Sequence, residues 1–200
     1  MIDIIKKIIN SSEAEAKKIW INEIFPKLME NLDTEFIELH LQEKIYETVY
    51  DENDEIGLMA LETILRNVSK FSIEEQGSRI VKLFIDSMTS KSEKIVLMTT
   101  SFMGETYQKL QNIILKSESN SIRFWKSFIE VAQTKNEKII NNFIFNLPGI
   151  LQISKKNYRV DALCEVYAEL FFHPDSDTLL LVSYLHEMVK MFPSKHGLLR

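Results

Sequence analysis

The single cysteine and three of the four histidines, residue types that often act in catalysis or metal binding, lie near the C-terminus of the chain. Cys164 could act as a nucleophile with His173 or His186 as its base. His173 could also bind a metal ion together with Asp175 and Asp177. However, three residues on one turn are too few for a closed metal site, and Cys164 lies in an apolar helical pattern, where cysteine is usually a small buried hydrophobe. We therefore interpret the histidine turn as a helix cap and Cys164 as a core residue.

Other sequence motifs of enzymes are absent. His186-Glu187 lacks the second histidine of a zinc-protease helix, and the chain contains no glycine-rich phosphate loop and no GxSxG elbow. The basic pairs Lys6-Lys7 and Lys155-Lys156 are short, which is typical of solubilising groups rather than of phosphate-binding sites. The sequence therefore predicts a protein that is not an enzyme and has no cofactor or metal ion.

The composition is that of a helical globular protein. Of the 200 residues, 45% are hydrophobic and 26% are charged, and five glycines and four prolines are too few for a turn-rich β protein. The net charge of -5 disfavours a nucleic-acid partner. Cys164 is the single cysteine, which fits a reducing compartment. No apolar run reaches the roughly 18 residues of a membrane span, so we predict a cytoplasmic or nuclear protein without a membrane partner.

One local pattern recurs along the chain: a small capping residue, an acid, a free position and a large aliphatic residue. A Ser or Asn side chain at the first position accepts a hydrogen bond from an orphan N–H of the helix, and the acid faces the positive end of the helix dipole. Ser12-Glu13 matches the first half of the pattern, 41 positions before Asn53. The four full copies are Asn53-Asp54-Glu55-Ile56, Ser92-Glu93-Lys94-Ile95, Asn136-Glu137-Lys138-Ile139 and Ser176-Asp177-Thr178-Leu179, whose first residues are 39, 44 and 40 positions apart.

Helix starts that recur about every forty residues are typical of an α-solenoid. In such a fold a helix pair cannot bury its apolar face alone, and neighbouring pairs stack into a continuous core. We therefore predict an all-α protein, an α-solenoid of antiparallel helix pairs that forms a HEAT- or armadillo-like superhelix. About four and a half pairs would form one domain over residues 1–200, and the chain could be one part of a longer solenoid.

The first helix of the array should open at Ser11-Ser12-Glu13 and run to about Asn31. Pro26 lies inside its apolar pattern and should kink or divide it, because proline lacks the N–H and its ring clashes with the preceding turn. Trp20 and Trp125 lie on apolar faces at helical spacing, so we predict that both are core residues. The apolar residues of the predicted helices also include Ile19, Ile122 and Phe145.

In two later stretches the sequence predicts a possible or a definite break within a helical pattern. The pattern from Glu93 allows either one helix to about Lys116 or two helices broken near Gly104. This is the stretch where the repeat interval is 44 rather than 39 or 40 residues. Pro148-Gly149 should interrupt the very apolar helix that starts at Glu137.

Two stretches resemble the HEAT-repeat family. In Asp51-Glu52-Asn53-Asp54-Glu55-Ile56 and Asp175-Ser176-Asp177-Thr178-Leu179-Leu180 an acidic turn leads into the second helix of a pair, as it does in HEAT repeats. The chain departs from the family at the arginine that usually follows the aliphatic residue, so these positions cannot make that arginine's interhelical contact. The residues found there are Gly57, Val96, Ile140 and Leu180.

A more specific resemblance covers most of residues 50–195. Residues 141–150 are similar to the Asn-(Phe/Leu)-Pro helix of the HEAT regulatory subunits of protein phosphatase 4. Residues 171–175 followed by 184–190 resemble the next repeat of those proteins, and residues 58–65 resemble an earlier one. The resemblance implies a regulatory or scaffold subunit, of the 2A scaffold class, that binds a Ser/Thr phosphatase catalytic subunit of the 2A/4 type and positions its substrates.

In related scaffolds the turns inside the helix pairs form the binding ridge, and the resemblance implies the same ridge here. Two alternatives remain open: a transport or cytoskeletal adaptor that binds partners on the concave face of the solenoid, and an enzyme on an all-helical fold. The residues of the implied ridge are Asp51, Glu52, Asn53, Asp54, Ser90, Lys91, Ser92, Lys135, Asn136, Glu137, His173, Pro174, Asp175, Ser176 and Asp177.

Overall fold

A computed structural model describes residues 7–8, 10–11, 13–32, 35–36, 41–71, 73–154, 166 and 169–170. These residues form helices and turns and contain no strand, which confirms the predicted all-α class. Apart from residues 166 and 169–170, which are helical, the chain after residue 154 lies outside the described residues, including Cys164 and the turn from His173 to Asp177.

The chain divides into two compact units, Met1–Gly77 and Ser78–Arg200. The interpretation of residues 1–200 as a single domain stays a prediction. In chain order the helices are α1 (Ala14–Ile19), α2 (Phe25–Asn31), α3 (Gln42–Thr48), α4 (Asp54–Arg66), α5 (Ile73–Met88), α6 (Glu93–Ser101), α7 (Met103–Lys116), α8 (Glu118–Ala132) and α9 (Glu137–Ser154).

The first helical stretch is divided next to Pro26, as predicted. A π-helical turn, Trp20–Ile24, joins α1 to α2, and Pro26 lies in the first turn of α2. Because proline has no N–H and its ring would clash with the carbonyl of Asn22 four residues earlier, the chain widens into a π turn at this point. Trp20 is 1% exposed and is therefore a core residue, as predicted.

α3 and α4 contact each other across the turn of residues 49–53. A Cβ added at Gly57 on α4 would lie 2.8 Å from the carbonyl oxygen of Val49. A backbone oxygen cannot rotate away as a side chain can, so this close approach requires glycine. Leu41 is a turn residue, and α3 begins after it.

The stretch from Glu93 forms two helices, so the alternative of a single long helix is wrong. α6 ends at Ser101, α7 begins at Met103, and Phe102 lies between them with φ -106° and ψ 5°. The hydroxyl groups of Thr99, Thr100 and Ser101 donate to carbonyl oxygens of α6 at 2.8–3.0 Å. Such side-chain bonds compete with the helix backbone, which explains a break at this position.

α9 runs without interruption through Pro148-Gly149, which the sequence analysis predicted as a break. A proline inside a helix costs about 3 kcal/mol or more. Leu147 and Ile150 on either side are fully buried, and burial of each such side chain contributes about 1.5–3 kcal/mol. Packing of the apolar face therefore outweighs the local cost.

An aromatic cluster forms the core between α7, α8 and α9. The ring of Phe124 lies 4.8 Å from that of Tyr107 and 5.2 Å from that of Trp125. Phe128 contacts Phe143 with ring centroids 4.6 Å apart, which joins α8 to α9. Trp125 is 1% exposed, so its predicted place in the core is confirmed.

Three of the apolar residues in the predicted helices are exposed. The exposed fractions are 41% for Ile19, 48% for Ile122 and 71% for Phe145. α9 is apolar on most sides, so its sequence pattern did not show that Phe145 points away from Ile139, Phe143 and the rest of the buried stripe.

Candidate partner-binding site

Four helices, α1, α4, α6 and α9, begin after the same kind of turn. In each turn a side-chain oxygen accepts a hydrogen bond from the backbone N–H two residues later, and that later residue is the N-cap of the helix. Such Asx and Ser/Thr turns fix the direction in which the chain enters the helix. The acceptor and donor residues are Ser11 and Glu13 (3.2 Å), Asp51 and Asn53 (3.0 Å), Ser90 and Ser92 (3.2 Å), and Thr134 and Asn136 (3.4 Å).

The predicted caps at Asn53 and Asn136 are confirmed. Each Oδ1 accepts two hydrogen bonds from N–H groups of the first helical turn, at 3.0–3.4 Å. Ser92 is the N-cap of α6 by its backbone, but its side chain accepts no hydrogen bond from the helix. The capping prediction is therefore wrong for the Ser92 hydroxyl, whose exposed position leaves the first N–H groups of α6 to water.

In the described turns, the residues of the implied ridge are either half-buried or exposed. Asp51, Ser90 and Asn136 are half-buried and take part in the hydrogen bonds that hold the turns. The ridge residues His173, Pro174, Asp175, Ser176 and Asp177 lie outside the described part of the chain. The exposed ridge residues are Glu52, Asn53, Asp54, Lys91, Ser92, Lys135 and Glu137.

In the first unit, α1 supplies two lysines to the start of α4. Lys17 forms an ion pair with Asp51, and Lys18 Nζ lies 2.6 Å from Glu55 Oε2. The hydrogen bond from Lys17 holds the pKa of Asp51 below its usual range, and the bond to Glu55 raises the pKa of Lys18. Neither lysine could be identified from the sequence, because their partners lie 34 and 37 positions away.

In the second unit, the turns before α6 and α9 lie side by side. Asn136 Nδ2 donates a hydrogen bond to Glu93 Oε2 at 3.1 Å. Farther along α9, Asn142 Nδ2 donates to the carbonyl of Leu97 at 3.4 Å and to Ser101 Oγ at 2.8 Å. Because the contact positions advance together along both helices, α6 and α9 run in the same direction.

Asn146 on α9 bridges the break between α6 and α7. Its Nδ2 donates to the carbonyl of Thr100 at 3.0 Å, and its Oδ1 accepts from the Gly104 N–H at 3.1 Å. Together with Asn142 it forms the polar contacts that join α9 to α6 and to the start of α7. The signal in the sequence was the spacing of Asn142 and Asn146, which lie four residues apart in a mostly apolar helix and therefore on one face.

Other polar contacts of the second unit join residues at similar separations. Arg123 Nη2 lies 2.6 Å from Asp86 Oδ1, which links α8 to α5, and Gln133 Nε2 lies 3.3 Å from Glu169 Oε1. These two contacts, the two lysine pairs of α1 and the asparagine contacts of α9 with α6 and α7 join residues 34 to 46 positions apart. That separation matches the interval between helix starts, as expected where neighbouring repeats stack.

Two kinds of site are absent from the described residues. They hold no group of three or more His, Cys, Asp and Glu side chains that could bind a metal ion. No helix among them is long and apolar enough to cross a membrane.

No protein-family model matches the chain, and no curated protein matches it. The chain is similar in structure to Cex1p, known from a crystal structure, with a TM-score of 0.68 and 15% sequence identity. The match covers 100% of this chain and 37% of the Cex1p chain, so the chain spans little more than a third of that length. At this identity the likeness concerns the fold alone.

Proposed function

We propose that the chain is an α-solenoid of antiparallel helix pairs that acts as a non-catalytic scaffold for protein partners. The observation that supports this most is the recurring turn before α1, α4, α6 and α9, whose N-caps at 13, 53, 92 and 136 are 40, 39 and 44 positions apart. The polar contacts between residues 34 to 46 positions apart add to it. A solenoid presents aligned turns and long faces on which a partner can dock.

The exposed residues of the turns form the binding ridge in this proposal. In the first unit the exposed turn charges, Glu52 and Asp54, are acidic, whereas the second unit carries the basic Lys91 and Lys135 beside the acidic Glu137. The turns of each unit should select partner groups of opposite charge, because like charges in contact oppose binding. Asp51 is left out of the ridge, since Lys17 already neutralises it.

The partner that we propose is a Ser/Thr phosphatase catalytic subunit of the 2A/4 type. This part rests on the resemblance of residues 58–65 and 141–150 to HEAT regulatory subunits of protein phosphatase 4. Those residues belong to α4 and α9, the helices that directly follow two of the turns. The scaffold would hold the catalytic subunit and position its substrates in the cytoplasm or nucleus.

Affinity capture of a purified catalytic subunit by the full chain tests this proposal. A variant with altered turn charges should bind at least about tenfold more weakly, while circular dichroism shows unchanged helicity. A control variant with exposed charges altered outside the turns should bind like the wild type. Unchanged capture by the turn variant would contradict the ridge, and no capture by the wild type would contradict the partner. The turn variant carries Glu52→Lys, Asp54→Asn, Lys91→Glu and Lys135→Glu, and the control carries Glu23→Lys and Glu30→Lys.

A second candidate function is an adaptor that binds partners on a helix face instead of on the turns. The observation that favours it is Phe145, which is 71% exposed on α9. In that case the turn variant keeps its binding, and substitutions on the exposed side of α6 and α9 abolish it.

A further inference from the structure

α6 and α9 together present a surface with basic and apolar parts, which we call the α6–α9 face. It consists of the exposed Lys94, Lys138 and Phe145 and the half-buried Met98. The asparagine contacts described above hold the two helices side by side and in the same direction. Lys94 and Lys138 lie in the first turns of the two helices, and Phe145 lies seven residues beyond Lys138, about 10 Å along the helix axis.

Lys138, Phe145 and Gly149 share one stripe of α9. Seven residues of an α-helix turn through nearly two full rotations, so Lys138 and Phe145 point in almost the same direction, and Gly149 follows one turn later. Phe145 is 71% exposed, and a Cβ added at Gly149 would meet no atom within 4 Å. The surface beyond the phenyl ring is therefore open to a partner side chain.

The N-terminal end of the α6–α9 face is basic. Four exposed lysines surround two acids there, and none of the four forms an ion pair with another described residue. The N-termini of two parallel helices add positive potential at the same end. The local charge at this end is therefore positive, whereas the net charge of the whole chain is -5. The lysines are Lys91, Lys94, Lys135 and Lys138, and the acids are Glu93 and Glu137.

We propose that the α6–α9 face binds a peptide segment of a partner protein that carries at least two acidic residues and one large apolar side chain about 10 Å apart. The acids contact Lys94 and Lys138, and the apolar side chain covers Phe145. A helical peptide reaches this distance between residues i and i+7, and an extended one within about three residues. Charge complementarity favours this occupant over a second copy of the chain, whose own lysines would be brought against these.

This inference rests on the proposed scaffold function and names the class of segment that the scaffold would hold. Selection of random 16-residue peptides, displayed on phage, against the purified full chain tests it. The enriched peptides should share acidic residues and a Phe, Leu or Trp, and should bind as fluorescent synthetic peptides in anisotropy titrations. Their binding should weaken as salt is raised, because exposed charges are screened.

Two variants of the face should each weaken binding of the selected peptides at least about tenfold. The first, Phe145→Ala, removes the apolar contact. The second, Lys94→Glu with Lys138→Glu, reverses the charges and leaves the helices stable, since acids are favourable in a first turn. Enriched peptides without acidic residues, or equal binding by wild type and variants, would overturn the proposal.

Matched controls separate the face from general surface effects. Ile122→Ala removes an apolar side chain that is 48% exposed on α8, and Lys82→Glu with Lys109→Glu reverses two exposed lysines on α5 and α7. Both should bind the peptides normally. Two outcomes would identify another occupant and overturn the proposal. One is self-association of the wild type that the Phe145→Ala variant loses, and the other is binding of poly(dT) that the Phe145→Ala variant keeps. Capture of the phosphatase catalytic subunit by the Phe145→Ala variant shows separately whether the turn ridge works without this face.

Discussion

Asp51 has a structural task that its place in an acidic turn does not reveal. One carboxylate oxygen accepts the N–H of Asn53 at 3.0 Å, and the other pairs with Lys17. The cap at Asn53 was predictable, because a cap and the N–H groups that it binds lie within three residues. The pairing with Lys17 joins residues 34 positions apart, and no local pattern specifies it.

Replacing Asp51 with Asn should lower the free energy of unfolding by about 0.5–1 kcal/mol at neutral pH, because the pair with Lys17 is lost. The pKa of Asp51 is lowered in the folded chain, so its contribution is complete above the usual value of about 3.9 and is lost as the pH falls through the lowered pKa. Urea unfolding of wild type and variant should therefore differ by a constant amount from pH 7 down to about pH 4, and the two should converge as the pH falls below that value. The exposed neighbour Glu52, changed to Gln, is the control and should leave the unfolding curves unchanged. A difference that grows in acid would contradict the assignment.

At the scale of helices, starts were easier to predict than ends and interruptions. The starts of α4, α6 and α9 follow from short-range caps and turns. By contrast, the passage of α9 through Pro148 depends on burial of its apolar face, which a rule about proline does not include. The exposure of Phe145 could not be predicted for a related reason: in a helix that is apolar on several sides, periodicity does not indicate which side is buried.

Asn146 is the side chain that we expect to couple α9 to the break between α6 and α7. Asn146→Ala leaves the Thr100 carbonyl and the Gly104 N–H without their partner, so the free energy of unfolding should fall by about 1–3 kcal/mol. Asn146→Asp keeps the acceptor for the Gly104 N–H and loses the donor, so its effect should be intermediate at neutral pH. Urea unfolding followed by circular dichroism measures both.

The matched control for Asn146 is Asn141 on the same helix. Asn141 is exposed, and Asn141→Ala should change the free energy of unfolding by less than about 0.5 kcal/mol. Equal effects of the two alanine variants would show that Asn146 contributes no more than a surface amide.

At the scale of the whole molecule, composition and periodicity were enough for the all-α class. Few glycines and prolines and apolar residues at helical spacing are local properties, and they hold in the described residues. The spacing of the helix starts was also predictable, because the pattern that begins at Asn53, Ser92 and Asn136 recurs in the sequence at intervals of 39 and 44 residues. The side chains that contact each other between neighbouring helix starts could not be predicted. The contacts of Lys17 with Asp51 and of Asn146 with Gly104 depend on how the helices pack. The proposal of a phosphatase catalytic subunit as the partner rests on the family resemblance and not on any contact within the chain.

Hydrogen–deuterium exchange of the chain with and without a bound 2A/4-type catalytic subunit tests the central claim most directly. If the turns form the binding ridge, amide exchange should slow on binding in peptides that cover residues 49–54, 89–93 and 133–137. The connection between α7 and α8, at residues 116–118, should exchange as in the free chain and serves as the internal control. Unchanged exchange at all three turns, with slowing confined to other parts of the chain, would contradict the account.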